Sequence, residues 1–181
     1  MDNLYFLVDW QKDKTQTWSG TCWGLFTSLQ KHFKVVDIDA FLEDTVAHRF
    51  LRRLKILKPD MGLRGMLSVR KSLTPQLEAK ENLTNVFQFA ECISTSTNIK
   101  SYIYKDLTLS YVKYMHDHLP QIFPLSSYQD CDTRIIESRL QLEKEFLETT
   151  PGFFCMGEWL RNFMIEHDNA PANRVFAVGG V

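Results

Sequence analysis

Residues 4–38 read LYFLVDWQKDKTQTWSGTCWGLFTSLQKHFKVVDI, and their pattern sets the fold class. Leu4-Tyr5-Phe6-Leu7-Val8 is an unbroken apolar run, as a strand needs when both of its faces are covered. After a polar loop, Cys22, Leu25, Phe26, Leu29 and Phe33 recur at the spacing that lines one side of a helix. Val35-Val36-Asp37-Ile38 then reads as a second strand. Strand, amphipathic helix and strand within about 35 residues make one parallel βαβ crossover.

Beyond residue 38 the alternation persists. Asn85-Val86-Phe87-Gln88-Phe89, Ser101-Tyr102-Ile103-Tyr104, Gly152-Phe153-Phe154-Cys155-Met156 and Arg174-Val175-Phe176-Ala177-Val178 are further strand segments. A helix is expected over Phe41–Leu57, with Phe50, Leu51 and Leu54 on its apolar side. Another carries Tyr111, Val112, Met115 and Leu119 and stops at Pro120. Thr133–Thr149 has no Gly or Pro inside and reads as the clearest helix, and Glu158–His167 as another. The expectation is an α/β fold: a doubly wound, mainly parallel, Rossmann-like sheet with helices on both faces. Lys55–Lys80 breaks the alternation. Its Pro59, Gly62, Gly65 and Pro75 predict a long loop with short helical pieces.

The chain of 181 residues is the size of one domain, and 44% hydrophobic with 24% charged residues is ordinary globular composition. A net charge of -1 gives no field for nucleic acid. The four cysteines, Cys22, Cys92, Cys131 and Cys155, lie far apart, so neither a disulfide scaffold nor a zinc site is indicated. The five histidines show no metal-ligand spacing; His116-Asp117-His118 sits late on a helix with its imidazoles pointing apart. No metal is expected. The N-terminus lacks a signal pattern and no run is long enough to span a bilayer, which predicts a cytoplasmic protein.

In doubly wound sheets, ligands gather at the carboxyl ends of strands. Trp18-Ser19-Gly20-Thr21 occupies that place after the first strand: Gly20 allows close backbone approach, and Ser19 or Thr21 either contacts a ligand or caps the helix. Lys105-Asp106 follows another strand, where Asp106 is either an N-cap or a substrate contact. Glu91 and Ser94 hold the corresponding place after Phe89, to bind sugar hydroxyls or to satisfy loop backbone groups. Arg139 and Glu143 fall inside the apolar arc of their helix at i, i+4, as a structural pair or as groups facing a cleft. Arg49, Arg52, Arg53, Lys55 and Lys58, followed by Arg64, Arg70 and Lys71, are opposed only by Asp60. Interleaved with leucines, they suit an anionic membrane surface or else form a solvated face.

The last thirty residues carry a resemblance. Phe153-Phe154-Cys155-Met156-Gly157-Glu158-Trp159-Leu160-Arg161 is similar to the strand, Ser-Glu-Trp and helix segment of two-domain GT-B glycosyltransferases of the group 1, family 4-like kind. Asn169-Ala170-Pro171-Ala172-Asn173-Arg174-Val175-Phe176-Ala177-Val178-Gly179-Gly180 resembles their turn, last N-domain strand and Gly-containing hinge. The Gly20 loop agrees in position, and Lys105-Asp106 stands where many members have His-Asp. Gly157 replaces the usual Ser, Lys105 the His, and the first loop has one Gly rather than two.

The resemblance implies that residues 1–181 are the N-terminal, acceptor-side domain. A C-terminal domain beyond the hinge would then hold most of the nucleotide-sugar site. Implied partners are a glycan, glycolipid or protein acceptor and, in the full-length enzyme, a nucleotide sugar; no cofactor or metal is implied. The expected place is cytoplasmic, with possible peripheral contact with the inner face of an anionic membrane. Ser19, Gly20, Thr21, Glu91, Ser94, Lys105 and Asp106 are the candidate acceptor-side residues. The alternative is a self-contained Rossmann or flavodoxin-like binding or protein-interaction module without catalysis.

Overall fold

The apolar run becomes β1 (Asn3–Val8) in a computed structural model that describes residues 3–40, 50, 53–54, 63–80, 83–89, 91, 93 and 99–179. β1 pairs in parallel with β2 (Lys34–Asp39), Asn3 opposite Lys34 and Val8 opposite Asp39. On its other side runs β3 (Asn85–Gln88), then β4 (Lys100–Lys105), β5 (Phe153–Cys155) and β6 (Val175–Ala177). All six strands are parallel, in the order β2-β1-β3-β4-β5-β6.

Among the described residues the α-helices are α1 (Thr21–Leu29), α2 (Leu63–Glu78), α3 (Leu109–His118), α4 (Thr133–Thr149) and α5 (Glu158–His167). Right-handed crossovers fix which face each takes. The α1 connection steps to one side and puts Cys22 and Phe26 against Leu4, Phe6, Phe87 and Tyr104. The later connections step the other way. Leu77 of α2 meets Leu7 and Val86 on the opposite face, and Phe146 of α4 with Leu160 and Met164 of α5 meets Ile103 and Phe153 there. Between β1 and β3 the direction of winding reverses, which leaves a crevice at the carboxyl ends of these strands.

Three expectations are corrected. Of the segment expected to be a loop, Leu63–Glu78 is a continuous helix with Pro75 inside it. A proline in a helix interior costs about 3 kcal/mol. Leu63, Met66, Val69, Leu73 and Leu77 recur at helical spacing, and Met66 and Leu77 are 1% exposed. Burial of that stripe outweighs the proline. Arg70, counted among the surface cations, is buried: it pairs with Glu145 at 2.5 Å and lies over the Phe146 ring. Phe50 and Leu54, expected on an apolar side, are 61% and 53% exposed. The rest of the Phe41–Leu57 segment lies almost wholly outside the described residues, as do Arg49, Arg52, Lys55 and Lys58; Arg53 is exposed. Among the described residues no helix is long and apolar enough to cross a membrane.

Candidate functional site

The loop between β1 and α1 is bent by its own backbone. After the Lys14–Gly20 3-10 segment starts at the Asp13 cap, Trp18 and Ser19 take left-handed conformations (φ 51 and 54) and Gly20 follows at φ 92. Only Gly20 of the three reaches that region without a Cβ penalty, so the loop stores strain next to the crevice. The strain is held by Thr17, whose buried hydroxyl accepts the Gln11 N–H at 3.1 Å. Trp10 anchors the other side by donating its indole N–H to Asp37 at 2.6 Å. Gly20 is the N-cap of α1 and no side chain caps it, so neither Ser19 nor Thr21 plays the expected capping part. The loop places Trp18, Ser19 and Thr21 around a cleft of about 290 Å³ with Tyr104, Asp106 and Met156.

At the end of β4, Lys105 turns toward the face covered by α4 and becomes 4% exposed. Its ammonium sits between two carboxylates, Glu91 after β3 and Glu143 on α4, with Glu143 at 2.5 Å. Arg139, one helical turn before Glu143, reaches Glu91 at 3.7 Å. The sequence pair Arg139–Glu143 is therefore two parts of a four-charge cluster. Burial alone would depress the Lys105 ammonium, but Glu143 and Glu91 outweigh it and hold the group above the usual lysine value. Burial would likewise raise Glu91, yet Lys105 and Arg139 together hold its carboxyl below the usual range. Burial, with the charge of Glu91 added, pushes the Glu143 carboxyl up against the pull of Lys105.

Glu143 also fixes the loop that follows β4. Its carboxylate accepts the backbone N–H of Leu109 at 2.9 Å and of Ser110 at 3.3 Å, at the start of α3. Thr108 is the N-cap of that helix and accepts the Tyr111 N–H. Asp106 is not the cap, contrary to one of the two expectations for it. Its charge instead reaches Cys22 and Tyr104. Burial and that charge push Cys22 up to about 12, and the same two causes raise Tyr104.

Above the cluster, at the β1–β3 switch, lies a cleft of about 360 Å³. Trp18 lines it with its edge-to-face neighbour Phe89 buried behind, the rings 5.7 Å apart, and Asp9, Lys105, Asp106, Ser127, Tyr128 and Arg139 line the polar part. Ser19, Thr21 and Asp106 thus meet at one end of the sheet. Lys105 lines the cleft with its ammonium held by Glu91 and Glu143, and Glu91 is buried and does not line it. Ser94 lies outside the described residues. Gly179, with φ 75, follows β6 and so sits at the same carboxyl end. Ser127 and Tyr128 enter from the segment before α4, where no periodicity or motif marks them. Among the described residues no group of three or more His, Cys, Asp or Glu is arranged to hold a metal.

No family model matches the chain, and no curated protein is significantly similar to it.

Proposed function

We propose that residues 1–181 form the acceptor-side half of a sugar-nucleotide-dependent glycosyltransferase. The cleft at the β1–β3 switch receives a hydroxyl-bearing glycan, glycolipid or protein acceptor, and a second domain holds most of the donor. One observation carries the reading: the exposed ring of Trp18 lines one cleft together with the Asp9 and Asp106 carboxylates. A flat ring covers the C–H face of a sugar, and carboxylates accept from its hydroxyls. Asp106, fixed by the loop that Glu143 straps, positions the acceptor hydroxyl.

Titrating the chain with a panel of mono- and disaccharides, following Trp18 fluorescence with Trp18→Phe as control, tests the acceptor site. Weak saccharide binding that Asp106→Asn reduces is expected, with weak or no binding of uridine, guanosine and adenosine diphosphate sugars. Submicromolar binding of a nucleotide sugar by residues 1–181 would overturn the division of labour. Arg49, Arg52, Arg53, Lys55 and Lys58 are the proposed contact with an anionic membrane. At about 1 kcal/mol per basic side chain near such a surface, their replacement by Gln should abolish pelleting with anionic vesicles at low salt.

The strand order favours one second reading. The run β2-β1-β3-β4-β5 is the flavodoxin-like order, in which a self-contained module binds its ligand at the same switch. Tight binding of flavin mononucleotide or a free nucleotide by this chain alone would favour that module over the transferase.

A further inference from the structure

The parallel sheet is covered unequally. α2, α4 and α5 pack on one face, whereas among the described residues only α1 packs on the other. Beside α1, that face is an open groove of about 390 Å³, lined by Leu25, Leu29, Phe87, Tyr102, Phe154 and Val178 among others. Its floor holds the rings of Phe87, Tyr102 and Phe154, and Phe176 of β6 continues the row beside it. Phe87 and Phe154 are 5.5 Å apart, and Phe154 and Phe176 stack at 5.4 Å. Phe176 is 42% and Val178 49% exposed. Parallel strands are stable when both faces are buried, and among the described residues no second helix covers this row.

Polarity says what the cover is. The amino edge of this face carries cations, and cations suit the C-terminal end of a helix. A second helix laid in the groove would bring its own C-terminus, with about half a negative charge, to the amino ends of the strands. Lys100 begins β4 on the same face as Tyr102 and Tyr104, and Lys31 follows α1 at that edge; both are exposed. The same edge already receives one helix end on the opposite face. There Arg174 donates to the carbonyls of Glu148 and Thr150, the last turn of α4, at 3.1 and 3.0 Å.

We propose that this groove docks an amphipathic α-helix of a partner protein, antiparallel to the strands, with an aliphatic stripe on the rings and an acidic last turn at Lys31 and Lys100. The six residues of β4 span about 20 Å, which a helix of about 13 residues matches. A second copy of this chain fits worse. The helix that flanks the groove, α1, is followed by Lys31, which would be set against Lys100.

The test uses labelled helical peptides of about 13 residues that share a Leu stripe at i, i+3, i+4 and i+7 and end in a Glu turn or a Lys turn. Fluorescence anisotropy against the full chain should show the Glu-ended peptide binding at least tenfold more tightly. Lys100→Glu, on an exposed side chain, should erase that preference. Phe176→Glu, also exposed, should weaken both peptides at least tenfold while the circular dichroism spectrum is unchanged. No binding, equal binding of the two peptides, or binding indifferent to Phe176→Glu and Lys100→Glu would overturn the proposal. So would a concentration-dependent dimer in sedimentation that Phe176→Glu dissociates, because the cover would then be a second copy.

Discussion

Glu143, in the middle of α4, holds Lys105, the last residue of β4, at 2.5 Å, and both side chains are buried. The pair joins a helix to the strand end that carries Asp106. The same carboxylate accepts the first amide of α3, so one side chain sets the strand end, the loop and the following helix. A buried pair is no guarantee of stability, but breaking it by removing one partner leaves an uncompensated charge.

Glu143→Ala should therefore cost about 3–5 kcal/mol, the usual penalty for an orphaned buried charge. Glu143→Gln keeps an oxygen for the Leu109 amide and should cost less, about 1–3 kcal/mol. Urea denaturation of the two variants checks both the size and the order. Equal small losses would mean that the cluster is solvated and holds nothing.

Asp168 gives a pH dependence of definite sign. It closes α5, accepts from the Ser110 hydroxyl at 2.6 Å, and has its carboxyl raised by burial despite that bond and the nearby His167 and Lys144. A folded-state pKa above the unfolded 3.8 means that the native state favours the protonated form. Its contribution is full below 3.8 and is lost as pH rises through the folded value. Asp168→Asn keeps an acceptor for Ser110 and removes a negative charge from a helix C-terminus. The variant should melt higher than the original protein at pH 7 and level with it at pH 3, read by thermal denaturation at both.

Thiol chemistry should follow burial. Cys22 and Cys155 are wholly buried, and burial pushes Cys22 to about 12, whereas Cys131 is partly exposed. The thiolate is the reactive form. Pulsed alkylation at pH 8, followed by peptide mapping, should label Cys131 well before Cys22 or Cys155. Early labelling of Cys22 would mean that α1 opens readily from the sheet.

The sheet was legible because buried parallel strands announce themselves: Leu4–Val8 is apolar at every position, and only a strand covered twice needs that. α2 was not, because Pro75 and Gly65 are strong local breakers while the stripe Leu63, Met66, Leu73, Leu77 is sparse. There tertiary burial overrides local propensity. The cluster of Glu91, Lys105, Arg139 and Glu143 was visible only in parts. Spacing reports neighbours on one helix, and three separate elements supply these four side chains. Asp106 and Thr108 are both able to cap a helix and stand two residues apart, so sequence alone could not choose between them.

That choice separates two roles that would otherwise be confounded. Thr108 is the N-cap of α3 and is fully buried, so Thr108→Ala should cost about 1–2 kcal/mol of stability, as lost caps do. Asp106 lines both clefts at the carboxyl end of the sheet and caps nothing. Asp106→Asn keeps size and a hydrogen-bonding oxygen but removes the charge. If the carboxylate positions an acceptor hydroxyl, the full-length enzyme carrying Asp106→Asn should lose most of its transferase rate, on the order of 100-fold or more, as loss of a group acting on the reacting proton does. Its melting temperature should stay within about 2 °C, since surface changes of this kind fall within ±0.5 kcal/mol. Initial rates at saturating donor and a thermal melt on each variant give the two readings. Near-full activity of Asp106→Asn would remove Asp106 from the site and leave Asp9 as the carboxylate that lines the cleft with Trp18.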